Sequence, residues 1–138
     1  FKMLLKIFPD KEKANSLFKM ALGRESSISK LDHNTFATII AENYYEIIKE
    51  LSTAILLLKG IKAVGENAHK EIIDSLGKYA EFNGQEISIL QDLRTKRNKS
   101  MYEGKQVDLS YLENNSHNLL EIINKLKRIL KNYSQNKI

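Results

Sequence analysis

The chain has 138 residues, long enough for one domain with a real core and too short for two. Its 42% hydrophobic and 28% charged residues suit a soluble globular protein, one proline and six glycines leave little room for a turn-rich or disordered architecture, and the lack of cysteine excludes disulfides and thiolate metal sites. The formal charge of +5 is unevenly placed: residues 1–93 hold 12 Lys/Arg against 13 Asp/Glu, whereas residues 94–138 hold 10 against 4. That basic last third is either the solvated face of a lysine-rich protein or an electrostatic footprint for a polyanion such as RNA.

Helical periodicity runs through the chain and no stretch alternates with period 2, so the expectation is an all-α, up-and-down antiparallel bundle of five helices in a single domain, 1–138. The opening FKMLLKIF carries lysine inside too short an apolar stretch for a signal peptide, and with Phe at position 1 a few starting residues are expected to precede it. A first helix starts after Pro9 with Asp10 as cap and continues to Leu31, with Ala14, Leu17, Phe18, Ala21, Ile28 and Leu31 on one side. DHNT breaks it. A second helix, about Asn34 to Lys59, shows Phe36, Ile40, Tyr44, Ile47, Leu51, Ala54, Ile55 and Leu58 at three- and four-residue spacing and serves as the central strut. Its apolar run Ala54–Leu58 is far below the roughly 20 residues of a membrane span, so the expected location is cytoplasmic, without membrane contact.

KGIKAVGEN then reads as a loop, lacking the spacing of a phosphate-binding loop, with Glu66 and Asn67 supplying capping chemistry for a third helix over about Ala68–Ala80. The fourth helix runs from Gln85 to about Tyr102 and is closed by Gly104. The fifth is capped by Asp108, carries Leu112, Leu119, Ile123, Leu126 and Leu130 on one stripe, and ends near Tyr133, with SQNKI fraying.

The fourth helix breaks its own pattern. Advancing about 100° per residue puts Ile87, Ile89, Leu90 and Leu93 in one sector and Gln85, Ser88, Gln91, Asp92 and Thr95 opposite. Arg97 falls near the middle of the apolar sector with Arg94 and Met101 beside it, while Lys96 and Lys99 fall outside. An inward arginine must snorkel to the bundle end or meet an anion, because a buried unpaired charge is costly. The second helix offers a polar row of Asn43, Glu46 and Glu50. Either Glu46 or Glu50 forms a structural ion pair with Arg97, or such a carboxylate orients the guanidinium while its planar fork faces phosphate.

A long helical hairpin followed by a late helix with Arg, a polar residue and then a His four to six positions on is the pattern of HEPN domains, and RNKSMYEG at 97–104 resembles that signature, Arg97 and Asn98 matching its first two positions. AENYYEIIKELSTAILLL and GENAHKEIIDSL are similar to the corresponding segments of small archaeal HEPN-like proteins. The resemblance implies a homodimer without cofactor or metal. It also implies either a metal-independent ribonuclease or a noncatalytic nucleotide- or RNA-associated partner of a nucleotidyltransferase in a toxin–antitoxin pair. In the ribonucleases an Arg and a His from two protomers meet, the arginine holding the phosphorane charge as protons move.

Here Met101, Tyr102 and Glu103 stand where the His is expected, and a phenol of pKa near 10 is a poor base at neutral pH beside an imidazole at about 6.5. The expected site is therefore a degenerate Arg-Asn-x-x-x-Tyr motif of Arg97, Asn98 and Tyr102, with Arg94, Lys99, Glu46 and Glu50 in binding roles. The leading expectation is a nucleotide- or RNA-associated module. A ribonuclease of altered mechanism and a pure protein-interaction domain are the alternatives.

The three histidines have no metal spacing. His33 reads as solvated, His69 as a capping or core residue on the apolar side of the third helix, and His117 as outside the site. Tyr44 and Tyr45 point to different faces, Tyr44 into the core and Tyr45 to the surface or an interface. Lys125, Lys127, Arg128 and Lys131 spread around the last helix, as solvated surface or as a guide for RNA.

Overall fold

Five helices carry the fold: α1 (Lys11–Ile28), α2 (Ala37–Leu58), α3 (Ala68–Tyr79), α4 (Gly84–Glu103) and α5 (Leu109–Asn136). The computed structural model describes the backbone of residues 4–136 and the side chains of residues 4–133.

Cross-helix contacts fix the directions. The Asp10 N–H donates to the Leu57 carbonyl and Arg24 pairs with Glu50, so α1 runs antiparallel to α2. Arg97 meets Glu46 and Ser100 meets Glu42, so α4 is also antiparallel to α2. Lys125 meets Glu86 and Lys96 lies over Tyr111, which sets α5 against α4. Helices α1, α2, α4 and α5 thus alternate as an up-and-down bundle, with the short α3 packed on α2 and α4.

Helix α2 is the axis, about 33 Å long at 1.5 Å per residue. It buries far more than the stripe its periodicity suggests: Tyr45, Ile48 and Leu56 are as enclosed as Ile40, Ile47, Leu51 and Ile55. A helix apolar on most sides belongs inside, and α2 is walled by the four others. Leu76 of α3, Leu90 and Leu93 of α4, and Leu112, Leu119, Ile123 and Leu126 of α5 complete the core.

The segment expected to be a plain loop holds a strand. β1 (Leu4–Lys6) pairs antiparallel with β2 (Ile61–Ala63), Leu4 opposite Ala63 and Lys6 opposite Ile61. Three-residue strands are too short to show a period of 2, and their pairing is non-local. Gly60 turns the chain into β2 at φ +75°, its carbonyl accepting from the Ile7 N–H at 2.8 Å; a β-carbon there would lie 2.7 Å from the Ile7 carbonyl oxygen.

Local chemistry sets the helix ends. Asp10 accepts from the Lys13 N–H at 3.0 Å, capping α1 as expected. Asp32 takes both the N–H and the hydroxyl of Thr35, which delays α2 to Ala37 and leaves Phe36 exposed rather than in the apolar stripe. Asn67 occupies the position before α3, but its side chain makes no cap. On α4 a full capping box is present: Asn83 accepts from the Glu86 N–H at 2.8 Å and Glu86 accepts from the Asn83 N–H at 3.0 Å. Asn83→Ala is expected to lower stability by about 1 kcal/mol, seen as a reduced urea midpoint at unchanged slope.

Gly104 closes α4 at φ +68°. Helix α5 starts directly after Asp108 and continues through Asn136, past the expected end near Tyr133; Lys137 and Ile138 lie outside the described residues. Among the described residues no helix is long and apolar enough to cross a membrane.

Candidate anion site

Arg97 is 7% exposed, held by α4 against α2. Its Nη2 donates to Glu46 Oε2 at 2.9 Å and its Nη1 to Asn98 Oδ1 at 3.2 Å, while its guanidinium carbon lies 5.2 Å from the centre of the Tyr45 ring. Its Nε is buried with no hydrogen-bond partner. The other oxygen of Glu46 takes Lys49 Nζ at 2.9 Å, so one carboxylate serves two cations. Burial pushes the Glu46 carboxyl upward, but the Lys49 hydrogen bond and charge, joined by Arg97, outweigh it and hold the group below the ordinary glutamate value.

Tyr45 forms the wall behind the arginine. It is 1% exposed and its hydroxyl has no partner. Burial pushes the phenol up to about 12 against the pull of Arg97 and Arg94. The expectation that Tyr45 faces the surface or an interface is therefore overturned. Adjacent tyrosines do point to different faces of α2, but both faces are covered: Tyr44 is buried in the core, and Tyr45 meets α4 and α3.

The His69 ring, in the first turn of α3, lies 6.1 Å from the Tyr45 ring, tilted by 54°. This histidine is half-buried. Burial lowers its pKa, and the charges of Lys49, Arg97 and Arg94 lower it further against the opposing pull of Glu46, which favours the neutral imidazole.

A relay of side chains positions Arg94. Its Nε donates to Gln91 Oε1 at 2.7 Å, and Gln91 Nε2 in turn donates to Asp74 Oδ1 at 2.8 Å and to the Lys70 carbonyl at 3.2 Å. Asp74 is itself paired with Lys70 at 2.8 Å. Arg94 is thus oriented by an amide and has no carboxylate partner among the described residues. Arg97 and Lys49 share the Glu46 carboxylate, while Arg94, which acts with Arg97 on Tyr45, has no ion pair among the described residues, and that positive balance favours a bound anion.

Glu50 does not join this cluster. It is 5% exposed and accepts from Arg24 Nε at 2.9 Å, and Arg24 Nη1 donates to Asn43 Oδ1 at 3.3 Å. Successive positions four apart on a helix differ by about 40°, enough for Glu46 to face α4 while Glu50 faces α1. Burial, the largest influence, holds the Glu50 carboxyl above its ordinary value despite Arg24. Met101, expected beside Arg97, is 53% exposed, because in the last turn of α4 it is Ser100, bonded to Glu42, that faces α2. Lys99 is exposed as well, and Tyr102 is 76% exposed, near enough for its phenol to raise the pKa of Tyr45.

Of the basic residues on α5, Lys125 and Lys127 are half-buried struts, paired with Glu86 at 3.1 Å and Glu25 at 2.8 Å, while Arg128 and Lys131 are exposed. His33 is exposed, and His117 is exposed beside Glu121 at 3.4 Å. A polar cleft of about 500 Å³ between α4 and α5, lined by Gln85, Glu86, Asn118, Glu121, Lys125 and Arg128, lies more than two helical turns from Arg97. Among the described residues no cluster of His, Asp and Glu is arranged to hold a metal ion.

Sequence reasoning missed Lys49, Tyr45, His69 and the Gln91–Asp74 relay. Lys49 was legible as the residue three after Glu46 on one helix. The others depend on how α3 and α4 pack on α2. Comparison with known proteins returns no match, whether to a family model, a curated protein or a solved structure.

Proposed function

We propose that the chain is a HEPN-like binding module that holds a nucleotide or RNA by phosphate at the Arg97 site without cleaving it. One observation carries this reading. Arg97 and Tyr45, in contact with each other, each bury a hydrogen-bonding atom without a partner, while the cations around them outnumber the carboxylates. Glu46 and Asn98 fix the guanidinium plane, and the planar fork, with Nε unpartnered, suits phosphate oxygens. Arg94 and Lys49 flank it, and the exposed Lys99 and Tyr102 extend the path for backbone and base, the Tyr102 ring as a stacking platform.

The absence of an imidazole at 101–103 favours binding over turnover. The HEPN resemblance adds a homodimer and a nucleotidyltransferase partner to this proposal. Exposed Phe36, Ile39 and Met101, where the start of α2 meets the last turn of α4, are consistent with the first.

The test is end-labelled RNA incubated in chelator with wild type or Arg97→Gln across a salt series, resolving bound complexes and fragments. Intact RNA is expected, with binding that weakens as salt rises and falls about tenfold in the variant. Fragments with cyclic-phosphate ends from wild type alone would replace the binding module with a metal-independent ribonuclease. No binding would leave Arg97 as a structural ion pair in an interaction domain.

A further inference from the structure

We infer that His69 is a ligand of the same phosphate as Arg97, and that binding draws a proton onto its imidazole. The inference rests on the Arg97 site being a phosphate site and adds both a residue and a pH dependence to it.

The placement comes from α2. The Tyr45 ring has the Arg97 guanidinium carbon 5.2 Å from its centre and the His69 ring centre 6.1 Å from it, so a group from α4 and a group from α3 both lie near this one tyrosine. The buried, unpartnered hydroxyl of Tyr45 and Nε of Arg97 belong to the same cluster. His69 also stands in the first turn of a 12-residue helix, where backbone N–H groups carry partial positive charge, and Asn67 makes no side-chain cap there.

The groups around His69 explain why its proton depends on a ligand. From α2 it faces Tyr45, Glu46 and Lys49; from α4, Arg94 and Arg97. The charged residue of β2 is Lys62, which is exposed, and on α3 itself Lys70 is paired with Asp74 and Glu71 is half-buried. Glu46 is the carboxylate that pulls on the His69 proton from α2, and both its oxygens are already taken by Arg97 and Lys49. A proton on the free imidazole would add a fourth cation to three. A phosphate among Arg97, Arg94 and His69 reverses that sign, and the protonated ring then offers a second donor.

The direction follows from linkage. If the bound state holds His69 protonated and the free state does not, affinity rises as pH falls from 8, by at most about tenfold per pH unit for one proton, and levels off below the pKa of the free imidazole. The probe is oligouridylate, whose phosphodiesters and bases keep their charge across that range.

Calorimetry of wild type in two buffers of different ionisation enthalpy counts the protons taken up, and NMR follows the His69 ring C–H signals against pH with and without the oligonucleotide. Arg97→Gln and His69→Gln are titrated alongside. Support is Arg97-dependent binding with up to one proton taken up at pH 7, a His69 pKa raised by the oligonucleotide, and a pH slope flattened in His69→Gln. Arg97-dependent binding with no proton uptake and an unmoved His69 titration overturns this inference and leaves the phosphate site standing. Absent binding, or binding indifferent to Arg97, overturns the site itself and the inference with it.

Discussion

Glu46→Ala is expected to destabilise the protein by about 3 kcal/mol at neutral pH, a fall in melting temperature of roughly 10 °C for a domain of this size. The loss lies mainly in what is left behind. Lys49 is at the rim and can turn to water, but Arg97 is 7% exposed and would keep only Asn98 as a hydrogen-bond partner. The lower end of the range for breaking a buried pair applies because 20% of the Glu46 side chain still meets solvent. The double variant Glu46→Leu/Arg97→Met removes both charges and should recover to within about 1 kcal/mol of wild type, which a double-mutant cycle by urea denaturation measures. A double variant as unstable as Glu46→Ala would show that packing, not the stranded charge, sets the loss.

Arg24→Ala is expected to cost about as much, roughly 3 kcal/mol at neutral pH, with the opposite residue stranded. Here the carboxylate is the deep member: Glu50 is 5% exposed, its Oε1 already lacks a partner, and Arg24 is 34% exposed. The two variants part company on acidification. The Glu50 pKa is raised in the folded state, so its contribution is fully present below the unfolded value and is lost as pH rises through the folded one.

Removing Arg24 raises that pKa further, and Arg24→Ala should therefore regain stability as pH falls from neutral and Glu50 takes up a proton. Glu46→Ala should show no such gain, because a stranded guanidinium does not deprotonate. In wild type the lowered Glu46 pKa works the other way, giving stability above the unfolded value that is lost as pH falls through the folded one. Urea midpoints measured between pH 7 and 4 for the three proteins separate these cases.

The five helices were legible because apolar residues recur at three- and four-residue spacing and punctuating residues stand at several ends, Asp10 and Gly104 among them. The inward arginine was legible for the same reason, since a count of 100° per residue along α4 needs no tertiary knowledge. Which carboxylate it meets was not. Glu46 and Glu50 sit one turn apart, and only the placement of α1 and α4 around α2 assigns Arg97 to the first and Arg24 to the second.

Tyr45 misled because a single apolar stripe was assumed for a helix that is walled all round. The two strands carry three residues each, too few for any pattern. His69 showed only its neighbours on its own helix, and its placement near the tyrosine that also carries Arg97 is a property of helix packing that periodicity does not encode.

The pinning of Lys125 and Lys127 by Glu86 and Glu25 reaches beyond stability. A lysine already neutralised by its own protein holds no share of the counterions that a nucleic acid releases on binding, so these two contribute little to polyanion affinity despite lying in the most basic third of the chain. At roughly 0.7 of a counterion per contacted phosphate on a single strand, RNA bound at the proposed Arg97 site would show a salt dependence far shallower than ten basic residues would give. On the proposed reading, nucleic acid would be met around Arg97 and the end of α4 rather than along α5.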